Sequence, residues 1–199
     1  AIWSGRSAKL GWGVTTAYVD DQDVLIEELN PEDSEEYKTP TGFKKFVTRA
    51  SIINIKDETP ITITLRWSDN GPILPGSFQN LRHVTPKGHV AALSSTALSP
   101  RDTTLSATIR LMQSSTVADG LLAGALHMAP AQNIMLVDAQ TIAMKTIGLI
   151  PRRDADHQSQ GRLPSLGSEL RNRWSGTMPY ASNPEFIEPI GGILGNTNN

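Results

Sequence analysis

Cysteine is absent from this 199-residue chain, which excludes disulfides, thiolate metal sites and a cysteine nucleophile. No apolar run approaches the ~20 residues needed to cross a bilayer as a helix, so no membrane span is expected. Neither sign of charge dominates. With 18 Lys and Arg against 20 Asp and Glu, the net charge is −2, and no basic field exists to attract nucleic acid or anionic lipid. A GxSxG elbow, a phosphate-binding loop and a zinc signature are all missing. Serine is plentiful, but none sits beside an evident base, so no nucleophile can be named within the chain. There is also no repeat of fixed period and no low-complexity tract.

What is present is a globular, loop-rich composition: 38 % hydrophobic and 19 % charged residues, with 16 Gly and 13 Pro. The length suits one domain with a core, and residues 1–199 read as a single region. The chain opens on Ala1 in an apolar phrase and closes on GNTNN straight after GGILG. Both ends read as cut from a longer polypeptide.

Residues 8–16 alternate loosely and VLIEEL (24–29) reads as a second strand. PEDSEEY (31–37) reads as a solvated acidic turn. KKFVTRASIINIKD and TPITITLRWSDNGPIL form a hairpin pattern, in which Ile61, Ile63, Leu65 and Trp67 share a face and Gly71 turns the chain. HVAALSSTAL (89–98) is a further strand. After Pro100 the period changes. Asp102 or Thr103 can cap a helix with Leu105, Ile109 and Met112 in one stripe, and a second helix runs from about Thr116 until Pro130. NIMLVD (133–138) and TIAMKTIG (141–148) read as two strands joined by a short turn. Pro151 to Gly192 is Pro-, Gly- and Arg-rich with little periodicity, a length of irregular backbone that implies function or a wrapped surface. The expected class is α+β with mainly antiparallel pairing.

Three features could carry chemistry. In GWGVTTAYVDDQD a Thr-rich strand ends in three acids, Asp20, Asp21 and Asp23. This suits either a plain strand-to-loop exit or part of a cation site, although calcium wants six to eight oxygens and the stretch offers fewer. The carboxamides of NTNN suit either a turn or donors to a developing oxyanion, a contribution of ~3 kcal/mol per donor in hydrolases. The four histidines, His83, His89, His127 and His157, lack helical i,i+4 pairing and read as ordinary surface or core residues.

Taken in order, several phrases resemble the penicillin acylases and their acyl-homoserine lactone acylase relatives. They are SGRSAKLGWGVTTAYVDDQD, IEELNPED, LRWSDNGPIL, AQNIMLVDAQ, GRLPSLGSELRNRWSGTMP and GGILGNTNN. The resemblance covers nearly the whole chain and implies an N-terminal-nucleophile (Ntn) hydrolase of αββα type. The chain would be an internal fragment of the β chain, with the nucleophilic serine outside it. That serine's own α-amino group would act as base.

Carried over by position, the resemblance puts one oxyanion donor on the backbone N–H of Thr16 and the other on the side chain of Asn198. Acyl-group selectivity falls partly on Ser4 and Gln132. Small Ser4 and polar Gln132 argue against an aromatic acyl pocket. A structural Ca2+ would take carboxylates from Asp20 and Asp23 and carbonyls from Gln22 and Gly161. The implied partners are a small N-acyl amide substrate, the α chain from the same precursor and the rest of the β chain. The implied location is periplasmic or secreted, and no organic cofactor is expected. The alternative drawn from the missing nucleophile is a non-catalytic β-rich binding or assembly module.

Overall fold

The computed structural model describes residues 3–196. In chain order the strands are β1 (Gly5–Arg6), β2 (Gly11–Thr16), β3 (Gln22–Glu28), β4 (Glu36–Thr39), β5 (Gly42–Lys45), β6 (Val47–Ile53) and β7 (Ile61–Ser68). They continue with β8 (Gly71–Leu74), β9 (His89–Ser95), β10 (Gln132–Val137), β11 (Ile142–Ile147), β12 (Ser165–Leu166) and β13 (Glu185–Ile187). Helices α1 (Thr104–Gln113) and α2 (Val117–Gly124) lie between β9 and β10. The class is α+β with almost wholly antiparallel pairing, as the strand and helix patterns predict. The sequence reads as one region, whereas the chain forms two compact units, each assembled from separated segments.

Unit 1 comprises Ala1–Asp21, Thr96–Arg152 and Gly176–Asn199. Its sheet runs β1-β2-β10-β11-β13, with Val14 opposite Ile134 and Met135 opposite Met144. Side chains alternate across a strand, so Trp12, Ile134, Leu136, Ala143 and Ile147 all reach the face beneath α1 and α2. There they join Leu10, Leu111, Val117 and Ala123 in the core. A side chain of this size contributes ~1.5–3 kcal/mol when fully buried. Gly120 lets α2 approach: a Cβ there would lie 2.9 Å from a Leu136 methyl.

Helix α2 begins where the sequence predicts. Thr116 and Asp119 form a reciprocal capping box, and Asp138 accepts a further bond from the Val117 N–H at 2.8 Å. Helix α1 has apolar residues around most of its circumference, and packing selected a different stripe from the expected one. Ala107, Thr108 and Leu111 are buried, while Leu105, Ile109 and Met112 are exposed. The two smaller side chains, Ala107 and Thr108, give that face the closer approach.

Unit 2 comprises Gln22–Ser95 and Arg153–Ser175. Its sheet runs β12-β3-β9-β8-β7-β6, and only the β12–β3 pair is parallel. The predicted hairpin is β6–β7, with Val47 opposite Trp67 and Ile53 opposite Ile61. One face of β3 is apolar, where Ile26 packs with Leu81 and Ala91, and Val24 joins them. The acidic stretch before β4 is more than a solvated turn. It ends in Tyr37, which is buried, stacks on Phe46 and accepts a bond from the Asp69 N–H at 2.9 Å. Residues 153–175 form one short 3-10 turn, Leu170–Asn172, and β12, in keeping with the irregular backbone expected there.

Candidate functional site

Strand β2 ends on Thr16, opposite Gln132. The next residue, Ala17, donates its N–H to the Ala131 carbonyl at 3.2 Å, which sets the phase of the ladder. Hydrogen-bonded and non-hydrogen-bonded pairs alternate in an antiparallel ladder. The Thr16 N–H is therefore turned away from β10, towards the β1 edge, where among the described residues β1 pairs with Gly11 and Trp12. An N–H so placed can serve a ligand, and it belongs to the main chain whatever the side chain.

Beside it, Thr15 donates its hydroxyl to the Asn196 Oδ1 at 3.0 Å, a contact between residues 181 positions apart. Asn196 also reaches the Met144 sulfur with its Nδ2 at 3.7 Å. These bonds lay the closing segment on the sheet face opposite the helices, next to the end of β2. A groove of about 550 Å3 lies along the same face, between Gly13, Met135 and Ile142 on the sheet and Gly192 to Leu194. The expected oxyanion residue Asn198 lies outside the described residues.

Ser4 and Gln132 are not brought together. Ser4 sits over Gly13, where a Cβ would lie 3.8 Å from its hydroxyl, on the face of Thr15. Gln132 alternates in phase with Ile134 and Leu136 and so belongs to the helix-covered face. The two positions border opposite sides of one sheet.

Of the residues expected to hold calcium, Asp20 is exposed and belongs to unit 1, and Gln22, Asp23 and Gly161 belong to unit 2. Within unit 2 the alternation of β3 separates side chains, though not the main-chain carbonyls expected of Gln22 and Gly161. Gln22 and Gly161 line a groove of about 230 Å3 on the Val24 face, and the Asp23 side chain points to the opposite face. Asp23 is 3 % exposed and already bonded: Arg153 donates Nε to Oδ2 at 3.0 Å and an Nη to Oδ1 at 2.9 Å. Trp174 adds its indole N–H to Oδ2 at 2.5 Å. Among the described residues no three His, Asp or Glu side chains form a metal-binding group. The surroundings of Asp23 are N–H donors, which do not fit a hard, oxygen-seeking cation.

Sequence reasoning missed Arg153 and Trp174. Arg153 had one local signal, the pair of arginines after Pro151 at the start of the irregular segment. It also missed Glu27, fully buried four residues along the same face of β3. Glu27 accepts bonds through Oε1 from Ser68 at 2.6 Å and Asn70 at 2.9 Å, while Oε2 has no partner. Burial pushes its pKa above the ordinary carboxylate value, and the bonds from Ser68 and Asn70 partly oppose this.

Two histidines are buried. His127 bonds the Pro130 carbonyl through Nε2 at 2.7 Å, and burial lowers its pKa. His157 accepts the N–H groups of Ser159 and Gln160 on Nδ1, so its proton sits on Nε2, 4.0 Å from Asp23. Both serve the local fold, in line with the ordinary role expected of them.

A profile described as penicillin amidase matches residues 1–199. The chain is 26 % identical over 202 residues to the acyl-homoserine lactone acylase QuiP of Pseudomonas aeruginosa, covering 99 % of this chain and 24 % of that protein. It is 27 % identical over 199 residues to the QuiP of Pseudomonas fluorescens, covering 100 % of this chain and 24 % of the relative. It thus spans about a quarter of the length of these curated relatives. Among solved structures, a thermostable penicillin G acylase from Alcaligenes faecalis superposes with a TM-score of 0.87 at 20 % identity. That match covers 100 % of this chain and 34 % of the other, a likeness of fold.

Proposed function

The chain belongs to the penicillin amidase family, and from that premise we propose that the whole protein hydrolyses N-acyl amide bonds. A serine outside this chain attacks the acyl carbonyl. The C–N bond breaks, the amine leaves with a proton, and water then releases the acyl group. The part supplied by this chain is electrostatic. As the carbonyl carbon becomes tetrahedral, negative charge gathers on its oxygen, and donors aimed at that oxygen lower the barrier. Thr16 supplies the main-chain donor and Asn198 the carboxamide.

The observation that carries this reading is the Thr15–Asn196 bond, which brings the closing segment beside the end of β2 across 181 residues of chain. Further support comes from the phase of the β2–β10 ladder, which turns the Thr16 N–H away from β10. The relatives are named as acylases of acyl-homoserine lactones and of penicillin G. With Ser4 small on the face of Thr15, we take acyl-homoserine lactones as the preferred class over aromatic acyl amides; Gln132, on the opposite face, does not bear on that choice. The α chain from the same precursor and the rest of the β chain complete the enzyme, which is exported to the periplasm or beyond.

Asn198→Ala in the complete, processed enzyme tests the reading. Loss of one such donor costs ~10²–10³-fold in kcat, with KM and the circular dichroism spectrum little changed. A kcat equal to that of the wild type removes Asn198 from the oxyanion site.

A further inference from the structure

We propose that Arg153 is the built-in counter-ion of Asp23, performing in this chain the clamping role that the family resemblance assigns to calcium. Asp23 holds both ends of the irregular segment. Arg153 is the first residue of Arg153–Ser175 and Trp174 its penultimate residue, and both donate to the same carboxylate. They lie 130 and 151 residues from Asp23 along the chain, so one buried side chain on β3 fastens both ends of the segment.

The chemistry of the contacts favours a guanidinium over a metal ion. Arginine presents two N–H groups in a plane that matches the two carboxylate oxygens, and it stays charged at any ordinary pH. The pair is nearly dry, with side-chain exposures of 10 % for Arg153 and 3 % for Asp23. A buried charge left without a partner is strongly unfavourable, and here the partner is covalently part of the fold. The third group facing Asp23, His157, also turns an N–H towards it rather than an oxygen. Calcium needs six to eight oxygens, and a calcium ion beside this carboxylate would meet a positive charge. The inference is independent of the catalytic reading, because melting rather than turnover measures it.

The test is thermal melting of the complete processed enzyme in millimolar CaCl2 or in EGTA, for wild type, Asp23→Asn, Arg153→Gln and the double variant. Wild type should melt at the same temperature in both, within about 1 °C, whereas a bound structural ion would add several degrees. Both single variants should melt several degrees lower. The double variant, with no charge left to strand, should recover part of the loss. If the single variants do not fold, the wild-type comparison still decides. A calcium-dependent rise that vanishes in Asp23→Asn overturns the proposal, as does an Arg153→Gln enzyme as stable as wild type without calcium. A rise that persists in Asp23→Asn locates an ion elsewhere and leaves the internal pair intact.

Discussion

Unit 1 removes one face of its sheet from water with Trp12, Ile134, Leu136 and Ile147 packed against two helices. Unit 2 covers one face of β3 in a different way, with Asp23 and Glu27 pointing into a loop segment that carries buried His157, Ser165 and Asn172. The first kind of packing needs only shape and volume, so it forms wherever periodicity places apolar side chains together. The second needs every polar atom matched to a particular donor or acceptor, and an unmatched one is costly. Asp23 is matched through both oxygens. Glu27 is matched through one oxygen only. The core of the helical unit therefore depends on fit and volume, whereas the polar face of unit 2 depends on which atoms meet.

Truncation and insertion should separate the two. Leu136→Ala, at the centre of the apolar core, is expected to lose ~2–5 kcal/mol of unfolding free energy, the largest effect here. Amide exchange should report that loss first in the β2, β10 and α2 amides; an equal loss of protection in β3 would mean the units do not differ as described. Gly167→Ala adds a single methyl where a Cβ would lie 2.2 Å from Glu27 Oε2 and 2.8 Å from Asn70 Nδ2. The expected loss is ~1–3 kcal/mol, read by denaturant titration. An unchanged midpoint would show that the polar face repacks as easily as an apolar one.

The unmatched carboxylate gives the comparison a pH dependence. Burial raises the native pKa of Glu27 above its ordinary 4.5, so the native state holds the proton more tightly than the unfolded chain does. Its stabilising contribution is complete below the unfolded pKa and is lost as pH rises through the native one. Glu27→Gln keeps an acceptor for Ser68 and Asn70 but does not titrate. Its melting temperature relative to wild type should therefore climb as pH rises above 4.5 and level off once the pH has passed the native pKa. Parallel melting profiles over that range would mean that Glu27 is compensated as fully as Asp23. The smallest effect belongs to the closing segment of unit 1. Thr15→Val removes the bond to Asn196 at an expected ~0.5–1.5 kcal/mol. Its larger consequence should be on kcat, and if kcat is untouched the bond does not position the segment for catalysis.

Local features were legible because their causes lie within a few residues. The cap at Thr116, the alternation of β6 and β7 and the turn at Gly71 follow from backbone preferences and side-chain period alone. The family order of phrases was legible too, since it is a property of the chain read end to end. The stripe on α1 was only half legible. Periodicity shows that Leu105, Ile109 and Met112 share a face, but not that Ala107, Thr108 and Leu111 would be the face that packs.

The acids after β2 mark the limit most clearly. Spacing suggests that the carboxylates of Asp20 and Asp23 and the carbonyl of Gln22 converge, yet spacing does not show that Asp23 lies on the buried face of β3, bonded to Arg153. Composition and pattern determined by themselves that this chain builds antiparallel sheets with two helices, and its ordered phrases determined the family. Only the tertiary structure decided that the carboxylate of Asp23 meets the guanidinium of Arg153, and that Thr15 meets Asn196. Contacts spanning 130 and 181 residues leave no periodic trace, because the intervening chain is free to vary while the folded backbone fixes the distance.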